Sequence, residues 1–120
     1  MIKDEVLDGL KIAESNLDIR LPNKYKQFSS EEIKDKDAYE IQTSESDTVY
    51  LYNYKDLVER NETYSIQDVD PDYLLIGQDG NIGYFINVKD HSELIYSLDL
   101  GAFGSLDMDE KAEDIYKLRS

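Results

Sequence analysis

The sequence predicts an α+β domain in which an antiparallel β-sheet of about five strands carries helices mainly on one face. Three observations support this fold class. A three-stranded meander is indicated over Asp70–Leu100, a second hairpin over Ala38–Tyr54, and amphipathic helices near both ends of the chain. With 120 residues, the chain is long enough to form a single domain, residues 1–120, with a core of its own.

The meander is predicted from apolar runs that alternate with turn signals. Tyr73–Ile76, Ile82–Val88 and Leu94–Leu98 are rich in aromatic, β-branched and leucine residues. The first two runs are separated by Gly77–Asn81, whose Asp-Gly pair tolerates the positive φ angles of tight hairpin turns. We therefore expect neighbouring strands in this region to pair antiparallel.

Helices are predicted where apolar residues recur every three or four positions. Residues 2–17 show this pattern in Val6, Leu10, Ala13 and Leu17. Leu21-Pro22 opens a second, shorter helix, because proline is favoured at the first helical position. Ser29-Ser30 is expected to end or fray that helix, and the charged segment Ser30–Asp37 to be a loop or a strand entry.

The second hairpin consists of the predicted strands Ala38–Thr43 and Thr48–Tyr54. Alternation along the second strand places three tyrosines on the face opposite Val49 and Leu51. These are Tyr50, Tyr52 and Tyr54. If helices cover the Val49 face, the tyrosine row is open and is a candidate partner-binding surface, because tyrosine is favoured at interfaces. The alternative is that the row belongs to a second packed face.

Three further elements follow in the second half of the chain. Lys55–Thr63 is predicted to be a short helix, and Ser65–Asp72 an acidic connection. After a break at Gly101–Gly104, the segment Asp107–Leu118 is predicted to be a terminal amphipathic helix.

Charge is the strongest compositional signal. The chain contains 27 acidic and 13 basic residues and has a net charge of −14. Residues 1–30 are neutral, so the excess lies in residues 31–120. Such a surface repels nucleic acid and anionic membranes and attracts a basic partner. The alternative interpretation is that the charge only maintains solubility.

The absence of cysteine excludes disulfides and thiolate sites, and a single histidine, His91, excludes multi-histidine metal sites. His91 lies in a predicted turn, where we expect it to be solvated. The charged start of the chain does not resemble a signal peptide, and no window is apolar enough for a membrane span. The missing signal-peptide and membrane-span patterns predict a cytoplasmic protein. The sequence shows no nucleophile–base pairing and no phosphate- or dinucleotide-binding loop, so we expect no cofactor.

Four aspartates imitate part of a calcium-binding loop: Asp68, Asp70, Asp72 and Asp79. That loop requires glycine at its sixth position, where this chain has Tyr73 in a predicted strand. We therefore predict no metal site. The four residues are instead interpreted as acidic loop positions and as candidates for binding a basic partner.

Four motifs follow one another in a characteristic order over most of the chain. An L-P-x-x-Y-x-x-F segment follows the first helix, and a V-Y-L-Y strand precedes a short helix. The strand–turn–strand I-G-x-D-G-x-x-G-Y is followed by an L-I-Y-x-L-D strand. The positions concerned are Leu21, Pro22, Tyr25, Phe28, the segment Tyr50–Arg60, Ile76, Gly77, Asp79, Gly80, Gly83, Tyr84 and the segment Leu94–Asp99. In this order the motifs resemble the SMI1/KNR4 (SUKH) superfamily.

The resemblance implies a function in protein binding. Bacterial members of this superfamily are similar to immunity proteins, which neutralise a cognate toxin, often a nuclease. Fungal members resemble regulatory scaffolds, and neither group is enzymatic. The resemblance and the charge together predict an immunity protein with a basic toxin domain as its partner. The alternative is a regulatory interaction scaffold without a toxin partner.

Overall fold

The computed structural model describes residues 2–36, 39–43, 46–88, 93–103 and 108–118. The helices are α1 (Ile2–Leu17), α2 (Asn23–Phe28), a π-helix (Ser29–Ile33), α3 (Tyr54–Thr63), α4 (Ile66–Val69), a 3-10 turn (Leu100–Ala102) and α5 (Ile115–Leu118). The strands are β1 (Tyr39–Gln42), β2 (Thr48–Leu51), β3 (Tyr73–Asp79), β4 (Ile82–Asn87), β5 (Ile95–Asp99) and β6 (Asp109–Ala112).

The strands form one antiparallel sheet in the order β1-β2-β3-β4-β5-β6. The α+β class is therefore confirmed, with six strands instead of about five. The described residues contain no helix long and apolar enough to cross a membrane. His91 lies outside the described residues.

The β3–β4 hairpin is confirmed, although its turn is shorter than the sequence predicts. β3 continues through Gly77 to Asp79, and only Gly80 and Asn81 separate it from β4. Gly80 has a φ of +57°, a conformation that glycine adopts without strain. At Gly77, a Cβ atom would lie 2.5 Å from the carbonyl oxygen of Tyr50. This glycine permits the close approach of β2 to β3.

The second helical segment is longer than the sequence predicts, and the prediction that Ser29-Ser30 ends or frays it is wrong. The chain continues as a π-helix, closed by a 2.7 Å hydrogen bond from the N–H of Lys34 to the carbonyl of Ser29. This wide turn brings residues five apart towards one side. Phe28 and Ile33 are both fully buried as a result.

Lys34 ends the π-helix in a backbone conformation that favours glycine, with φ +57° and ψ −126°. We expect Lys34→Gly to raise the free energy of unfolding by about 1 kcal/mol, because relief of strain exceeds the added flexibility of the unfolded chain. Urea denaturation of the purified variants measures this change. Lys36→Gly removes the same side chain at a negative φ and should destabilise the protein. A loss of stability in both variants would contradict the prediction.

Two elements of the second half differ from their predictions. The connection Ser65–Asp72 contains α4, because Ile66 is buried and Gln67 donates a 3.0 Å hydrogen bond to the carbonyl of Tyr73. The terminal segment is not one helix. Its first part is β6, which pairs with β5 and so satisfies the backbone of what would otherwise be an exposed sheet edge.

The helical part of the terminal segment is only α5, which is capped by Asp114. Its carboxylate accepts a 2.9 Å hydrogen bond from the N–H of Lys117 and pairs with Lys24 at 3.0 Å. Burial alone would raise the pKa of Asp114, but these contacts outweigh burial and hold the pKa below its ordinary value. The pair joins α5 to α2.

Tyr25 of α2 is buried, and its hydroxyl has no hydrogen-bond partner among the described residues. Burial raises the pKa of this tyrosine. Since an unpaired buried hydroxyl is unfavourable, we expect Tyr25→Phe to stabilise the protein by about 1 kcal/mol. Tyr52→Phe is the matched control, because the hydroxyl of Tyr52 is bonded to Gln78. This control should lose about 1 kcal/mol in chemical denaturation. Destabilisation by Tyr25→Phe would refute the expectation.

Candidate functional site

The register of the strands sorts the side chains of the sheet onto two faces. Residues opposite each other in neighbouring strands share a face, and one face carries a band of buried apolar side chains. These are Ile41, Val49, Leu51, Leu74, Ile86 and Ile95. Phe28 of α2 packs edge-on against Tyr39 on this same face, with ring centroids 5.9 Å apart. We call it the helix face.

One end of the helix face forms a concavity of about 260 Å³ that we call the acidic cleft. Its described lining comes from strands and loops: Asp47, Asp79, Ile82, Tyr84, Ser97, Leu98, Asp99, Asp109 and Lys111. Two rows of facing residues lie here. One row is Asp79–Ile82–Asp99, and the neighbouring row is Tyr84–Ser97–Asp109. The register therefore brings together carboxylates from three strands that are distant in the sequence.

The spacing of the carboxylates argues against a shared metal ion. Asp79 and Asp99 flank Ile82 from opposite sides, so their backbones are two strand spacings apart, about 10 Å. Calcium binds its oxygen ligands at about 2.3–2.6 Å. Within the described ranges, no three acidic or histidine side chains form a group that could hold a metal ion. The cleft is better suited to a basic protein surface or to an organic cation.

The aspartates of the cleft have no basic partner among the described residues. None of the four (Asp47, Asp79, Asp99 and Asp109) forms a salt bridge with such a residue. Lys111 is the one basic side chain in the described lining. The cleft therefore carries an excess of negative charge, which favours the approach of a cation.

Of the four aspartates singled out from the sequence, only Asp79 lies in the acidic cleft. The other three, Asp68, Asp70 and Asp72, lie in or after α4, just before β3 begins. Because β3 spans Tyr73–Asp79, they are about 20 Å from Asp79 along the strand. The structure therefore does not bring these four side chains together as one surface.

The tyrosine row is absent, and the prediction that placed Tyr50, Tyr52 and Tyr54 along one strand is wrong. β2 ends at Leu51, because the side chain of Asn53 accepts hydrogen bonds from the N–H groups of Lys55 and Asp56 and caps α3. Tyr54 is consequently the first residue of α3. Tyr52 is only 1% exposed and Tyr50 is partly buried, so they do not form an open aromatic surface.

Tyr50 and Tyr52 instead line a separate concavity of about 280 Å³ together with Arg60, Gln78 and Gly80. The Tyr52 hydroxyl is bonded to Gln78, and the Gln78 amide donates a 3.0 Å hydrogen bond to the carbonyl of Gly80. These contacts satisfy the Tyr52 hydroxyl and the Gln78 side-chain amide within the protein. We regard this concavity as a packed junction between β2, α3 and the β3–β4 hairpin.

Sequence reasoning missed three aspartates of the acidic cleft: Asp47, Asp99 and Asp109. Asp99 could have been found, because Ile95, Ser97 and Asp99 alternate on one side of a predicted strand. Asp109 could not, since the apolar spacing of its segment predicts a helix and not a strand. The position of Asp47 depends on a loop that carries no periodic signal.

No protein-family model matches the chain, and no curated protein shows significant sequence similarity to it. The resemblance to the SMI1/KNR4 superfamily therefore stays a prediction based on the motif residues.

Proposed function

We propose that this chain is an immunity protein of the SMI1/KNR4 (SUKH) type that binds and neutralises a basic toxin domain in the cytoplasm. The observation that carries the proposal is the acidic cleft, where aspartates from three strands and a loop face outward without basic partners among the described residues. A nuclease is a suitable toxin class, because carboxylates at such a surface can take the place of substrate phosphates.

The β3–β4 hairpin supports the proposed family. The glycines of its I-G-x-D-G motif serve backbone geometry, since Gly77 allows close strand approach and Gly80 has a positive φ. These structural roles explain the motif without any catalytic group in it. The function that we propose is therefore to bind a partner protein and not to catalyse a reaction.

The test is rescue of bacterial growth. Co-expression of the chain with the toxin domain encoded beside its gene should restore growth, and a catalytically inactivated form of that toxin should co-purify with it. The lack of a toxin gene beside this one, or continued toxicity despite expression of folded chain, would contradict the proposal. Recovery of a cellular regulatory protein instead of a toxin would support the scaffold alternative.

A further inference from the structure

Arg60 of α3 lies in a concavity whose described lining contains no acidic residue. The concavity has a volume of about 280 Å³, and we call it the Arg60 pocket. It is lined by Tyr50, Tyr52, Arg60, Gln78 and Gly80. Because neighbouring residues of a strand point to opposite faces, Gln78 lines this pocket while Asp79 lines the acidic cleft. The two sites are therefore separate.

Arg60 does not pair with the carboxylates of its own helix. Asp56 precedes it by four residues, a spacing at which aspartate and arginine side chains can pair on a helix. None of the salt bridges and side-chain hydrogen bonds among the described residues includes the Arg60 guanidinium. Burial raises the pKa of Tyr52 and the charge of Arg60 opposes this rise, so the guanidinium lies near the Tyr52 hydroxyl. The charge of Arg60 is therefore directed at the pocket.

The floor of the Arg60 pocket is held in one arrangement by its own contacts. The rings of Tyr50 and Tyr52 meet edge-on with centroids 5.8 Å apart, and the Tyr52 hydroxyl is bonded to Gln78. The Gln78 amide donates one of its two N–H groups to the carbonyl of Gly80, and no described residue accepts the other. A Cβ atom at Gly80 would meet no described heavy atom within 4 Å. The pocket is therefore open on this side and offers aromatic rings and N–H donors.

We propose that the Arg60 pocket receives the carboxylate of an aspartate or glutamate side chain on the protein partner. A guanidinium binds a carboxylate through two parallel N–H···O hydrogen bonds, and the methylene stem can pack on the ring of Tyr50. A phosphate dianion fits less well, because a chain with a net charge of −14 repels it more strongly. Sites that enclose small molecules have volumes of about 300–1,000 Å³, so a pocket of this size favours one side chain of a larger partner.

For the identity of the partner, this inference rests on the proposed function, and it adds the orientation of the complex. An acidic surface attracts a basic domain without fixing how that domain docks. A single cationic position on such a surface fits one orientation, in which an acidic residue of the partner meets Arg60, and repels the others.

The first test reverses the charge of Arg60 and measures the affinity for a catalytically inactivated form of the toxin domain encoded beside the gene. Arg60→Glu makes the chain more acidic, so general attraction alone would strengthen binding of a basic domain. If Arg60 meets a carboxylate, the variant should bind at least about tenfold more weakly. Arg60→Lys keeps the charge but loses the planar fork and should bind about threefold more weakly.

Arg20→Glu is the matched control, because Arg20 is an exposed arginine between α1 and α2. It changes the net charge by the same amount as Arg60→Glu and should bind the toxin domain as tightly as the parent chain or more tightly. Thermal unfolding of each variant verifies that it is folded.

The second test needs no toxin and uses NMR of the isotopically labelled full chain at constant ionic strength. The probes are the α-methylamide of N-acetyl-glutamate and its neutral isostere, the α-methylamide of N-acetyl-glutamine. The glutamate probe should shift the backbone signals of Tyr52, Gln78 and Gly80 saturably, with a dissociation constant on the order of 10 mM. The glutamine probe should bind at least about tenfold more weakly. Arg60→Gln should abolish the difference between the probes, and Arg20→Gln should preserve it.

Either of two results would overturn the inference. One is binding of the toxin domain by Arg60→Glu as tightly as by Arg20→Glu, and the other is equal affinity for the glutamate and glutamine probes. Such a result with successful growth rescue would refute only the Arg60 site. Failure of growth rescue with a positive probe titration would refute only the immunity function.

Discussion

Asn61→Asp is expected to destabilise the protein by about 3–5 kcal/mol, the largest effect that we predict for a single substitution. Asn61 is fully buried in α3. Its amide nitrogen donates 2.8 Å hydrogen bonds to the carbonyls of Leu57 and Leu75, and its oxygen accepts from the N–H of Leu75 at 2.8 Å and from Gln67 at 3.0 Å. Asn61 thus forms hydrogen bonds with both backbone groups of Leu75 in β3, at a position where β2 no longer pairs with β3.

Aspartate has nearly the same shape as asparagine but cannot donate to the two carbonyls, and its charge would be buried beside them. The measurement is equilibrium unfolding in urea at neutral pH, where we also expect the melting temperature to fall by on the order of 10 °C. The matched control is Asn23→Asp at the exposed start of α2, which should change stability by no more than about 0.5 kcal/mol. Hydrogen exchange at the Leu75 amide should accelerate in the Asn61 variant alone. Equal free energies of unfolding for the Asn61→Asp and Asn23→Asp variants would show that the hydrogen bonds of Asn61 contribute little to stability.

The Asn61 network also shows why part of the fold could be predicted from the sequence and part could not. Local patterns were sufficient for α1, where Val6, Leu10 and Ala13 recur on one side, and for the Asp79-Gly80 turn. The hydrogen bonds from Asn61 to the backbone of β3 could not be predicted from the sequence, because they depend on where β2 ends. That end is set by Asn53, a capping residue inside a run of strand-forming tyrosines.

The terminal segment illustrates a second limit of sequence reasoning. Met108, Ala112, Ile115 and Leu118 have helical spacing, yet Asp109–Ala112 forms β6. Helical propensity in a short segment is weak, and pairing with the free edge of β5 outweighs it. Because β6 places Asp109 opposite Ser97, the incorrect helix prediction also meant that Asp109 was not recognised as part of the acidic cleft. Only Asp79 among the cleft aspartates was identified from the sequence, and only as part of a different loop.

Charge reversal in the acidic cleft is expected to have the largest effect on partner binding. We expect the triple variant Asp47→Lys, Asp79→Lys and Asp109→Lys to slow association with the cognate toxin domain by about 10–100-fold at low salt. The reason is that a basic partner would meet repulsion at its docking site after long-range attraction had brought it close. The measurement is the association rate at low and high ionic strength. The difference between parent and variant should shrink as salt screens the charges.

The triple variant Asp68→Lys, Asp70→Lys and Asp72→Lys is the matched control, because it changes the net charge by the same amount at the opposite end of β3. If the acidic cleft is the docking site, this control should slow association by no more than about threefold, through the loss of general attraction. Thermal unfolding of both variants verifies that each is folded. A larger effect in the Asp68–Asp72 variant would place the partner on the α4 surface and would exclude the cleft as the main contact.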